Sequence, residues 1–130
     1  MRRLLVILII AFFMVFIGGC ALSPRISATV TITDWNQDYN ESSGEWGLVN
    51  IYYDVQNTGN KKIDYYVVTF KVYCKRATSG VENVYTDWDN GPDNTAYIPV
   101  GKKVSDWTLI DTEGNEADSV IIENWELESY

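Results

Sequence analysis

The stretch "WGLVNIYYDVQNTGNKKIDYYVVTFKVYC", residues 46–74, decides the fold. Its first half alternates: Val49, Ile51, Tyr53 and Val55 share one face, while Asn50, Tyr52, Asp54 and Gln56 share the other. The second half repeats the pattern, with Tyr66, Val68, Phe70 and Val72 on the apolar parity and Cys74 continuing it. A period of two describes a strand with one buried face, because successive side chains leave a pleated backbone on opposite sides. Between the runs lies "NTGNKK", 57–62, a turn cluster with Gly59 available for a positive φ. Two alternating runs across a Gly-bearing turn predict an antiparallel hairpin.

The flanking sequence reads the same way. "ISATVTITDW", 26–35, sets Ile26, Ala28, Val30 and Ile32 against a wet face of Ser27, Thr29, Thr31 and Thr33, and "NQDYNESSGE" follows as a polar loop. "ATSGVEN", 77–83, is a turn, and "VYTDWDNGPDN", 84–94, is a short strand running into a Gly-Pro turn. "TAYIPVGKKVSDWTLID", 95–111, divides into two strands at Pro99–Gly101. "SVIIENWELES", 119–129, closes the chain as a strand with Ile121, Trp125 and Leu127 on one parity. With 9 aromatic Tyr, 5 Trp and 4 Phe, the composition suits pleated, half-buried strands. The expected fold is all-β: an immunoglobulin-like antiparallel β-sandwich of about six or seven strands over residues 26–130.

The same central stretch resembles the bacterial FxLYD domain, named for a Phe-any-Leu-Tyr-Asp signature. Val55-Gln56-Asn57-Thr58-Gly59 fits that family's turn, Phe70-Lys71-Val72-Tyr73 fits the first four signature positions, and "IPVGKK", 98–103, echoes its later Pro-Gly turn. Val72 stands where the signature has Leu, and Cys74 where it has Asp. The resemblance spans roughly residues 46–110. It implies an extracytoplasmic immunoglobulin-like sandwich and no enzyme activity.

The chain begins "MRRLLVILIIAFFMVFIGGC". Arg2 and Arg3 precede an unbroken apolar run from Leu4 to Ile17. That run has the length of a secretory leader and falls short of the roughly 20 residues a spanning helix needs. Ile17-Gly18-Gly19-Cys20 resembles a bacterial lipobox, in which an aliphatic and two small residues precede an obligatory cysteine. The resemblance implies a signal peptide over 1–19, a covalent diacylglycerol on Cys20, and a tether over 20–25. It places the domain outside the cytoplasm, anchored on the cell membrane or outer membrane; in a host with an outer membrane, Ala21 in place of Asp after the cysteine resembles the outer-membrane-directed pattern. Two acyl chains anchor stably where one binds marginally. Two other readings stay open: an uncleaved anchor from Leu4 to Leu22, and ordinary cleavage with Cys20 kept for a disulfide to Cys74.

Charge and residue types narrow the chemistry. The net charge of −8, from 10 basic and 18 acidic residues, predicts repulsion of nucleic acid and of anionic lipid, so attachment is expected through lipid and not through a basic patch. The absence of histidine removes Ser–His and Cys–His nucleophile pairs and His-based zinc sites. No cofactor beyond the lipid is expected. Asp87, Asp89 and Asp93 in "TDWDNGPDN" are candidate calcium ligands, although Asp is also common in turns for backbone reasons. Trp35 and Trp88, each beside a polar turn, are expected to be exposed and are the candidate platform for stacking a sugar ring. Cys74, at core parity, reads as a buried thiol, with an intermolecular disulfide as the alternative. A glycosidase would need two carboxylates about 5–10 Å apart in a cleft, and no spacing marks out such a pair. The expected function is a non-enzymatic surface lipoprotein whose partner is the membrane and another envelope protein, with glycan binding as the alternative.

Overall fold

A computed structural model describes residues 23–76 and 80–130. The leader, Cys20 and the first part of its tether lie outside the described residues, as do the first three residues of the 77–83 turn. Among the described residues six strands form: β1 (Ala28–Asn40), β2 (Glu45–Asn57), β3 (Tyr65–Cys74), β4 (Val84–Gly91), β5 (Lys103–Ile110) and β6 (Ala117–Glu128). They make two antiparallel three-stranded sheets, ordered β1-β2-β5 and β4-β3-β6. This order matches the A-B-E and C′-C-F strands of immunoglobulin-type sandwiches, so the expected all-β sandwich is the observed one.

The expected pairing of 46–57 with 63–74 is wrong. β2 and β3 lie in opposite sheets, each at the centre of its own. Their apolar faces meet across the core rather than side by side: the Tyr53 ring stands 5.0 Å from Phe70 and 6.4 Å from Tyr66, both edge-on. Alternation fixes which face of a strand is buried but not whether the next strand pairs beside it or packs over it. The link decides. Residues 58–64 are longer than the favoured hairpin loops, and Ile63 within them is fully buried, bridged to Ile98. An apolar residue that must be buried turns the link into an arch over the core. The parity assignments themselves hold, since Val49, Ile51, Tyr53, Val55, Tyr66, Val68, Phe70 and Val72 are all buried. Each such aliphatic or Phe side chain contributes about 1.5–3 kcal/mol.

The hairpin lies where a loop was expected. β1 continues through residues 36–40 and turns at 41–44 into β2. Bulges after Ile32 and Gln37 turn polar side chains toward partners. Asn50 donates to Asn36 at 3.0 Å, Tyr39 stacks on Trp46 at 5.1 Å, and the Gln37 amide donates to Gly47 O, Thr112 Oγ1 and Asn115 O. Two smaller corrections concern the last third of the chain. Residues 95–102 contribute only the Ile98 bridge before β5. In β6 an irregularity opposite Thr69/Phe70 resets the parity, so Ile122 packs against the core and Ile121 faces out opposite Lys71.

Candidate functional site

The densest polar geometry sits at the edge where β4 of one sheet approaches β5 of the other. Tyr53 on β2 crosses the sandwich and donates to Asp89 Oδ2 on β4 at 2.6 Å. Tyr66 on β3 crosses the other way and donates to Asp106 Oδ2 on β5 at 2.6 Å. Each sheet thus sends one tyrosine to a carboxylate on the opposite sheet. Such short O–H···O⁻ bonds are charge-assisted and stronger than neutral ones. A residue without a Cβ makes room: a Cβ on Gly91 would overlap the Tyr66 hydroxyl and come 2.8 Å from Asp106 Oδ2. Burial, then the bonds to Asp89 and Asp106, push both phenols far above the ordinary tyrosine range. Burial also raises the Asp89 carboxyl, partly offset by the Tyr53 bond. Asp106 Oδ1 accepts from Trp107 N at 3.0 Å. With their lone pairs engaged this way, the two carboxylates act as bolts between the sheets.

The three candidate calcium residues do not gather into one metal-holding group. Asp87 Oδ1 accepts from Trp88 N at 2.8 Å, Asp89 is bound by Tyr53, and Asp93 is exposed on the loop after β4. Among the described residues no group of three acidic or sulfur side chains is placed to hold a metal ion.

The candidate tryptophans also part ways. Trp35 is half-buried against the core, contrary to expectation, because β1 runs past it and its parity turns inward after the bulge. Trp88 faces outward opposite Thr69 and is 59% exposed. It walls an open groove of about 300 Å³ floored by Val67 and Thr69 and bounded by Asn124, Glu126 and Tyr65, whose hydroxyl accepts from Asn90 Nδ2 at 3.1 Å. A second groove, of about 440 Å³, crosses the outer face of the other sheet. There Trp107, 55% exposed, pairs across strands with Tyr52 beside Asp34, Asp54 and Ser105. Lys103 Nζ at 2.8 Å and Ser105 Oγ at 2.6 Å hold the Asp54 carboxyl below its usual range. An exposed indole beside carboxylates and amides can stack a flat C–H face and accept hydroxyl hydrogen bonds. Trp107 was legible in "KVSDWTLI", where it shares the outward parity of Lys103 and Ser105; Asp106 was legible as an acid at core parity.

Cys74 is a buried thiol at the far end of β3, and burial raises its pKa. It is therefore a poor nucleophile. The chain begins its described course at the opposite end: Ser23 O accepts from Asn60, and Asn60 N donates to Arg25 O. The three residues from Cys20 to Ser23 reach at most about 11 Å. The ten residues of β3 separate that end from Cys74 by about 30 Å. A Cys20–Cys74 disulfide does not fit this geometry. No family model and no curated protein matches the chain.

Proposed function

We propose that the chain is an extracytoplasmic lipoprotein, anchored through diacylglycerol on Cys20, whose FxLYD-like sandwich is a non-enzymatic binding module for another envelope protein. The observation that carries this reading is the leader: two arginines, a 14-residue apolar run from Leu4 to Ile17, and Gly18-Gly19-Cys20 immediately before the domain. The reach argument against a Cys20–Cys74 bridge supports it, because it leaves the Cys20 sulfur for lipid. The non-enzymatic part is supported by the lack of histidine and by the tyrosine hydroxyls that occupy Asp89 and Asp106. Cell fractionation tests the anchor. The native chain is expected in the membrane fraction, accessible to protease added from outside the cytoplasm; recovery in the soluble cytoplasm would contradict the reading.

A second reading, glycan binding, is favoured by one observation: two exposed indoles, Trp88 and Trp107, each wall a groove that also holds carboxylate groups. Titration of tryptophan fluorescence with cell-wall and polysaccharide fragments tests it. A saturable shift lost in Trp88→Ala or Trp107→Ala supports sugar binding, and no shift with any fragment removes it.

A further inference from the structure

The overall charge of −8 is unevenly spread: the two ends of the sandwich differ. Of the 10 basic residues, two are in the leader, and five of the others, Arg25, Lys61, Lys62, Lys102 and Lys103, converge on the arch end of the sandwich. They come from three separate segments. The arch donates from Thr58 N and Gly59 N to Ser27 O, and Gly101 N donates to Asn57 O, so the tether, the arch and the "IPVGKK" turn are locked side by side. All five are exposed. Lys62 and Lys103 are paired with Asp64 and Asp54, while Arg25, Lys61 and Lys102 have no carboxylate within ion-pair distance among the described residues. Asp93 on the β4–β5 loop and Glu128 on β6 also lie at this end, so its charges nearly balance, with Arg25, Lys61 and Lys102 the cations not held in an ion pair among the described residues. The tip of the turn adds apolar surface, with Val100 51% and Tyr97 43% exposed. The opposite end is acidic on balance: Glu41 and Glu45 lie at the β1–β2 turn and Asp111, Glu113, Glu116 and Asp118 at or beside the β5–β6 loop, against Lys75, which pairs with Glu116, and Arg76.

We propose that the arch end is a membrane-docking surface that seats on anionic phospholipid headgroups, with Val100 and Tyr97 dipping into the interface and the acidic end pointing away. Three features select this occupant. The three cations without an ion pair among the described residues, Arg25, Lys61 and Lys102, around a small apolar tip match an anionic interface. The acidic far end is repelled by the same surface. Ser23, three residues from Cys20, is fastened to the arch itself, so the tether brings this end and no other to the bilayer. This inference rests on the lipoprotein reading. It changes the picture from a domain hanging on lipid alone to one oriented on its membrane. Each cation held near such a surface is worth about a fivefold change in local partition.

The test uses the full lipidated chain, reconstituted into vesicles of phosphatidylcholine alone or of equal parts phosphatidylcholine and phosphatidylglycerol. A water-soluble acetylating reagent reports the reactivity of each lysine by mass spectrometry. Lys61 and Lys102 are expected to react several-fold more slowly in the anionic vesicles, with recovery in high salt, while Lys75 at the far end is unchanged. Val100→Asp, on an exposed turn, is expected to abolish the difference without unfolding the domain. Equal reactivity of Lys61 and Lys102 in both vesicles, on chains that carry the lipid mass, overturns this inference alone. Absence of the lipid mass on Cys20 overturns it together with the lipoprotein reading.

Discussion

The two connections that flank β2 have similar composition and opposite construction. The turn after β1, residues 41–44, is exposed and held locally: Asn40 Oδ1 accepts from Ser42 N at 3.0 Å and Ser43 N at 3.3 Å, and Gly44 N donates to Asn40 O at 2.8 Å. The link after β2 is held from far along the chain. Asn57, 1% exposed, donates to Lys61 O at 2.8 Å and Ile98 O at 3.0 Å and accepts from Gly59 N at 3.0 Å. A Cβ on Gly59 would overlap Arg25 O and come 2.8 Å from Ser27 N, so the tether packs where only glycine fits. Both segments are rich in Asn, Ser, Thr and Gly. In one, water can replace each bond; in the other, nothing can. Turn composition alone does not separate a hairpin from an arch, whereas burial of the turn's own polar groups does.

Asn57→Ala should break the comparison most visibly. It removes three hydrogen bonds around a buried amide, leaving Lys61 O without the Asn57 donor while Ile98 O keeps Ile63 N, and at about 1 kcal/mol each is expected to cost about 3 kcal/mol. Urea unfolding measures this; a cost no larger than that of Asn40→Ala would mean that the arch is not organised by Asn57. Tyr66→Phe comes next. It removes the donor to Asp106, which is 7% exposed, and should cost about 2 kcal/mol. In alkaline absorbance titration of the native protein, Tyr53 and Tyr66 should stay unionised until unfolding, and ionisation of both within the folded state would contradict their burial.

Asp89→Asn sharpens the contrast through pH. Burial raises the Asp89 pKa in the folded state above its unfolded value of about 3.9. Between those two values the folded chain holds more protons, so stability falls as pH rises through the window. Replacement by Asn, which keeps an oxygen for the Tyr53 hydroxyl, should remove that fall and leave stability at pH 7 within about 1 kcal/mol of the native chain. Asp54 has the opposite sign. Lys103 lowers its pKa, so its contribution is lost as pH drops through the folded value, and with Lys103 exposed it amounts to under about 1 kcal/mol. Unfolding midpoints of both Asn variants across pH 3–7 check the two slopes. Asn40→Ala is the smallest change, about 0.5 kcal/mol, because water replaces the lost acceptor.

Much of the fold was written in local pattern. The alternation at Val49–Val55 and Tyr66–Val72 identified the two central strands and their buried faces, since parity is a property of the strand itself. Partner choice was not legible there, because both a hairpin and an arch bury the same faces. The legible clue was Ile63, an apolar residue off the parity of Tyr66, Val68, Phe70 and Val72 and so without a place on that strand's buried face. Trp35 misled for a related reason: a bulge resets parity, and bulges leave no reliable mark in composition. The Tyr–Asp bolts and the gathering of Arg25, Lys61 and Lys102 at the arch end join segments far apart in sequence. Net charge described the sum over the chain and concealed where Arg25, Lys61 and Lys102 meet.

The central claim is that Cys20 begins the mature protein and carries lipid. Mass spectrometry of the N-terminal peptide from the membrane fraction tests it directly. The expected peptide starts at Cys20, bears the mass of a diacylglyceryl thioether, and is replaced in Cys20→Ser by an unmodified precursor that keeps the leader. A native peptide that starts at Met1, or one that starts at Cys20 without lipid, would contradict the account.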